Sequence, residues 1–303
     1  MNQRVPVKAL SVSSLLFSIL FSTSVFAQNA ALKTKLETIS KGIDGKVGVA
    51  VMDLKSRETL ILNEKHKFPM QSVFKFPLAM AVLDLVDKKK LSLDQKVHIT
   101  KKDYFAKTHS PMRDKYPDGE VDVTVGELLA YSVSTSDNIA CDILFRLAGG
   151  TKAVNDYVHG SGVKNIAIVA NEEEMHSGWE PQYKNWCEPG AMLQLLDIFY
   201  QGKKLSKTST DFLWKILIDG PTGLKRIKGE LPTNITVAHK TGTSGANEHG
   251  MMGGLNDVGI MKLPNGKNIA IVVYISDTHA KSEEAELVIA KTAKAVADHY
   301  STK

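Results

Sequence analysis

Lys46-Val47-Gly48-Val49-Ala50-Val51-Met52-Asp53 places a valine at every second position. Period two puts those valines on one face of an extended strand, where β-branched residues fit well. Thr59 to Leu62 follows the turn-like Lys55-Ser56-Arg57-Glu58, so the pair reads as a hairpin. The far end of the chain carries the same signal: Gly254 to Leu263 and Asn268 to Ser276 flank Pro264-Asn265-Gly266. Between these sheet-like ends the period changes. From Phe76 to about Ile218 the apolar spacing is mostly helical, as in Leu78, Val82, Leu85 and Val86. The last stretch, Ser282 to His299, puts Ala285, Val288, Ile289, Thr292 and Val296 on one helical face, with Glu283 and Glu284 in the first turn. The simplest architecture joins the two chain ends in one α/β lobe, about residues 28–66 and 219–303, and inserts an all-α lobe of about residues 67–218.

The first residues carry Arg4 and Lys8, then an apolar run, then Val25-Phe26-Ala27, which suits signal peptidase. Residues 1–27 therefore read as a cleaved signal peptide, with export to the periplasm or medium and no stable membrane association afterwards. No cysteine follows the run to accept a lipid. The rest is long enough for one domain with its own core. The formal charge of +5 is spread among acids, so nothing marks a nucleic-acid partner, and a monomer is the expected state. Cys141 and Cys187 are the two cysteines of the chain; two free, buried thiols are expected, although one bridge could form in an oxidising compartment. The nine histidines show no paired spacing of metal ligands.

Three short motifs carry chemistry. Ser72-Val73-Phe74-Lys75 spaces a hydroxyl and an amine three residues apart, so on a helix they share a face. Such a serine becomes a nucleophile when a nearby base takes its proton. Ser136-Asp137-Asn138 follows a helical run: the hydroxyl could relay a proton and the amide could hold a carbonyl, while a polar helix cap is the plainer reading. His239-Lys240-Thr241-Gly242-Thr243-Ser244-Gly245 follows the apolar Ile235 to Ala238 and suits an edge strand, with Lys240 in a cleft and Gly242 allowing close backbone approach.

Taken together and in this order, the three motifs resemble those of class A serine β-lactamases and penicillin-binding proteins. The resemblance covers nearly the whole mature chain. It implies an α/β lobe with a five-stranded antiparallel sheet, an all-α lobe, an active site between them, small-molecule β-lactam substrates and no cofactor. A lactamase also needs a base that hydrolyses the ester on Ser72, held in the family on an omega-shaped loop. The family spacing from Ser136 falls on Glu172, in Asn171-Glu172-Glu173-Glu174-Met175-His176; Glu180, in Trp179-Glu180-Pro181, is the competing candidate. N-E-x-x-M-H, with Gln71 and Thr243, resembles an extended-spectrum branch with a rearranged loop. That likeness implies a cephalosporinase, with His176 helping to place the hydrolytic water and Trp179 to Trp186 forming the altered segment.

By the same resemblance, the amides of Ser72 and Thr243 form the oxyanion hole, each donor contributing roughly 3 kcal/mol to the transition state. Lys240 and Thr241 face the substrate carboxylate, with Ser244 a further candidate, and Asn138 faces the side-chain amide. His109 stands where the family often has an aromatic gatekeeper. Many members add an arginine after K-T-G, but Asn247 to Met252 has none; Arg226 matches the alternative position, or is simply a surface arginine. In the implied mechanism Lys75, or Glu172 through water, activates Ser72. Ser136 protonates the ring nitrogen, and Glu172 activates the water that frees the enzyme. The rival readings are a D,D-peptidase or transpeptidase with slow release, and a β-lactam sensor.

Overall fold

The computed structural model describes residues 29–302. The signal-peptide reading of residues 1–27 lies outside the described residues. In chain order the elements are α1 (residues 29–40), β1 (Lys46–Asp53), β2 (Thr59–Leu62), β3 (Phe68–Pro69), α2 (Lys75–Asp87), β4 (Lys96–Ile99), α3 (Pro111–Lys115) and β5 (Val121–Thr124). Then follow α4 (Val125–Ser134), α5 (Asn138–Ala148), α6 (Thr151–Gly160), β6 (Ile166–Ala167), α7 (Glu172–Met175), β7 (Trp186–Cys187), α8 (Pro189–Tyr200) and α9 (Lys207–Ile218). The chain closes with β8 (Thr236–Thr243), β9 (Leu255–Lys262), β10 (Asn268–Ser276) and α10 (Ser282–Ser301).

Both expected hairpins form. They merge into one antiparallel five-stranded sheet of order β2-β1-β10-β9-β8, so the N-terminal hairpin pairs with β10 and β8 is an edge. The central strand β10 shows why the sheet is buried on both faces. Ile269, Ile271, Val273 and Ile275 enter a core with Leu32 and Leu36 of α1 and Ile289 and Val296 of α10. Ala270, Val272 and Tyr274 enter the larger core shared with the helices of the middle segment. Each fully buried Ile or Val contributes about 1.5–3 kcal/mol, so two cores clamp one sheet. The face anticipated for the C-terminal helix, Ala285, Val288, Ile289, Thr292 and Val296, is buried.

In the middle segment α2 is buried along Lys75 to Leu83 and packs on α4, α5, α6 and α9. Its first residue is the lysine of S-x-x-K, placed where an amine lies inside the protein. The segment is not purely helical. It also holds a two-stranded sheet, β4-β5, and a three-stranded one, β3-β7-β6. Strands of two to four residues carry too little alternation to stand out in sequence. The ring of Phe68 on β3 stacks on Tyr274 of β10 at 5.6 Å, which anchors the segment just before Ser72 to the main sheet.

Candidate active site

The nucleophile segment is a 3-10 turn, Gln71–Phe74, that runs straight into α2. Gln71 has φ of +49°, a left-handed conformation that a side chain other than glycine's adopts at a cost of about 1–3 kcal/mol. Its side chain is held in return: Gln71 Nε2 donates to Gln182 Oε1 at 2.8 Å, and Gln182 Nε2 donates to the Trp179 carbonyl at 2.8 Å. Asn256 Nδ2 adds bonds to the carbonyls of Pro69 and Met70. The turn that carries Ser72 is thus tied to β9 and to the loop after α7.

Lys75 Nζ is fully buried and stands among four oxygens: Ser72 Oγ at 2.9 Å, the Ser136 carbonyl at 2.9 Å, Asn138 Oδ1 at 2.5 Å and Glu172 Oε1 at 2.8 Å. An ammonium has three hydrogens for those four contacts, so its bonding can be redistributed when Ser72 gives up a proton. Ser136 has φ of +59° and lies between two lysines, with Lys240 Nζ 2.9 Å from its Oγ and Lys75 Nζ 3.5 Å away. Asp137 holds that turn: its carboxylate caps α5 through the Ala140 amide and accepts from Ser110 Oγ and the Met112 amide. The cap reading therefore holds for Asp137, while the Ser136 hydroxyl and the Asn138 amide oxygen stand beside the two lysines. Asn138 Nδ2 donates to Thr108 Oγ1 at 2.8 Å, and among the described residues its second amide hydrogen is not engaged.

Glu172 opens α7 and is 2 % exposed, whereas Glu173, Glu174 and Glu180 are exposed. Of the two candidates, Glu172 is the one beside Lys75. Two devices aim it. Asn171 and Glu174 form a reciprocal capping box, and the Asp142 carboxylate accepts the amides of Glu172 at 2.7 Å and Glu173 at 3.0 Å. His176 Nδ1 sits 2.7 Å from the Glu172 carbonyl; a carbonyl only accepts, so Nδ1 carries the hydrogen and a neutral ring leaves Nε2 as an acceptor. Buried Asn185 closes the loop, taking the Val169 and Ala170 amides on Oδ1 while its own carbonyl accepts from Met70.

The third wall is β8. Lys240 is 1 % exposed, and burial together with the charge of Lys75 pushes its amine well below the usual range, against Glu172 and Asp257. A Cβ on Gly242 would lie 2.6 Å from the Met70 carbonyl and 3.1 Å from the Ser72 amide, so the amides of Ser72 and Thr243 belong to neighbouring backbone. Thr241 Oγ1 meets Thr222 Oγ1 at 3.0 Å, and Ser244 Oγ accepts from the Gly254 amide.

Arg226 is buried at 6 % exposure, so the surface-arginine alternative is set aside. It bonds Glu286 through Nε, the carbonyls of Gly242 and Asn256 through Nη1, and Thr243 Oγ1 through Nη2 at 2.7 Å. Among the described residues four of its five hydrogens are engaged, and the fifth, on Nη2, remains for a ligand. His109 is exposed at the mouth, where Nε2 donates to the Thr135 carbonyl at 2.9 Å. All the anticipated site residues except Lys75 and Lys240 line one cleft of about 470 Å³, and those two lie directly beneath its floor. Met175, Trp179 and Gln182 of the loop complete its wall. Gln182, Asn185 and Asp142 were not anticipated; each acts across a long chain separation and has no local signal.

This fold and this cleft define a serine acyl-transfer enzyme equipped to hydrolyse its own ester. Residues 31–300 match the family model described as the β-lactamase enzyme family, and the chain belongs to that family. It is 44 % identical over 292 residues to β-lactamase VEB-1 of Pseudomonas aeruginosa, covering 96 % of each chain. A β-lactamase crystal structure from Chitinophaga pinensis superposes with TM-score 0.87 at 51 % identity, over 89 % of this chain and 99 % of that one. TLA-3 extended-spectrum β-lactamase gives TM-score 0.89 at 48 % identity, over 91 % and 100 %. The chain is a class A serine β-lactamase: it hydrolyses β-lactams and confers antibiotic resistance.

Proposed function

We propose that Ser72 opens the lactam ring and that Glu172 is the base of deacylation. The carrying observation is that one buried amine, Lys75 Nζ, touches both Ser72 Oγ and Glu172 Oε1. A carboxylate that close to the nucleophile can deliver water to the ester formed there. Acylation is driven by Lys75 or by Glu172 through water. Ser136, bridged to Lys240, returns a proton to the ring nitrogen, and the amides of Ser72 and Thr243 hold the carbonyl oxygen. Lys240, Thr241, Thr243, Ser244 and the spare hydrogen of Arg226 converge on the substrate carboxylate. Asn138 takes the side-chain amide, His176 holds the water with Glu172, and His109 borders the mouth.

The proposed spectrum includes extended-spectrum cephalosporins, supported by the similarity to TLA-3 and by a cleft walled by Met175, His176 and Trp179. The protein acts as an exported monomer, with residues 28–303 as one domain. Among the described residues no helix is long and apolar enough to cross a membrane.

The test is turnover of a chromogenic cephalosporin and an oxyimino-cephalosporin by the mature chain, with intact-mass analysis. Many turnovers are expected, no adduct with Ser72→Ala, and a lasting adduct with Glu172→Gln. A lasting adduct with Glu180→Gln instead would move the base, and a single stoichiometric burst by the unaltered protein would make it a penicillin-binding enzyme or a sensor.

A further inference from the structure

On β9, directly across from Thr241 of β8, lies a buried carboxylate that the mechanism does not use. Asp257 of β9 is fully buried. Both of its oxygens are 2.9 Å from Nδ1 of His239, whose side chain is also buried, and Oδ2 accepts the Ile227 amide at 3.1 Å. A carboxylate away from water is tolerated where donors meet it, and a buried polar pair of this kind is often no more stable than well-packed apolar side chains in place of both partners. What is distinctive is the place of its two partners. His239 precedes Lys240 in β8, and Ile227 follows Arg226. One carboxylate therefore holds the neighbour of each of the two cations, His239 by its imidazole and Ile227 by its amide.

The segment carrying Arg226 needs such a tether. It is a run of tight turns, with the Arg226 amide on the Gly223 carbonyl and the Gly229 amide on the Arg226 carbonyl. It lies flat on the strand, since a Cβ at Gly223 would come within 2.3 Å of Thr241 Cγ2. Arg226 in turn orients the Thr243 hydroxyl. A shift of either backbone would separate Lys240, Thr243 and Arg226, which must meet one small anion together.

We propose that Asp257 is a positioning residue for recognition of the substrate carboxylate, fixing the elements that carry Lys240 and Arg226 through His239 and the Ile227 amide. The proposal rests on the reading that these two cations bind that carboxylate. The experiment compares kcat and KM for benzylpenicillin and for its methyl ester, in which the anion is gone, in Asp257→Asn, His239→Leu, His239→Asn and Arg226→Ala. Asparagine at 239 keeps a donor where Nδ1 stands, and leucine does not.

Asp257→Asn and His239→Leu should raise KM for the acid by about tenfold with little change in kcat, and leave the ester within about twofold. His239→Asn should restore the acid KM, and Asp257→Asn combined with Arg226→Ala should be no worse than the larger single effect. Equal losses on acid and ester, or no rise in KM, would overturn the proposal. If Asp257→Asn does not fold, the leucine and asparagine variants of His239 decide in the same way. An unchanged acid-to-ester ratio in Arg226→Ala would instead remove the carboxylate reading itself.

Discussion

Lys75 Nζ and Glu172 Oε1 are 2.8 Å apart, and neither side chain exposes more than 3 % of its surface. The two ends of the pair are supported unequally. Lys75 has three further oxygens around it, on Ser72, Ser136 and Asn138. Glu172→Gln keeps an oxygen facing the amine, so it should cost less than about 1 kcal/mol of stability. Lys75→Ala strands a buried carboxylate and two buried acceptors, and should cost about 3 kcal/mol. Urea denaturation of both variants checks this; equal losses would mean that the ion pair, and not the wider set of acceptors, holds Lys75.

Gly242→Ala should act on chemistry more than on folding. Its Cβ would stand 2.6 Å from the Met70 carbonyl and 2.9 Å from Gln71 Cβ, both attached to the turn that carries Ser72. β8 is an edge strand and can move away, but that opens the space between the Ser72 and Thr243 amides. We expect kcat/KM to fall by about 100-fold, the scale of a 1 Å misplacement at a reacting centre. Steady-state kinetics beside a thermal melt separates the two effects, and a drop in melting temperature with unchanged kinetics would contradict the expectation.

The groups that meet at the cleft are legible because each sits in a short contiguous motif whose spacing encodes its geometry: Ser72 with Lys75, Ser136 with Asn138, Lys240 with Gly242. The main sheet was legible because β1 and β10 alternate strictly between two cores. What escaped has no local signature. Gln71 and Gln182 are 111 residues apart, and Arg226 and Asn256 are 30 apart. A buried glutamine or arginine looks the same in sequence as a solvated one. Arg226 has two readings in sequence, between which burial decides, and nothing local to Asn185 or Asp142 marks the amides they accept on the omega-like segment.

Cys141 and Cys187 are free and buried, as expected from their number and setting. Burial pushes both thiols up, so little thiolate exists at neutral pH to react or to exchange. A thiol reagent such as DTNB should therefore label none of them in the native protein and two after denaturation. A reductant should leave the melting temperature unchanged; a reductant-sensitive melt would show a bridge in solution.

Asp142 should impose a pH dependence on stability. It is mostly buried, and burial pushes its carboxyl up from 3.8 to about 7, assisted by the charge of Glu172 and opposed by the amides of Glu172 and Glu173. A folded-state value above the unfolded one means that the native protein holds a proton which the unfolded chain has released. The contribution is fully present below about pH 4 and is lost as pH rises to about 7, with a slope approaching about 1.4 kcal/mol per pH unit, and is flat beyond. Other carboxylates titrate in the same range, so the quantity to follow is the difference between wild type and Asp142→Asn in urea midpoints from pH 4 to pH 8. The advantage of the wild type should shrink across that window. If the difference stays level, the two backbone amides outweigh burial, and Asp142 is an anion that pins Glu172 at every pH at which the enzyme works.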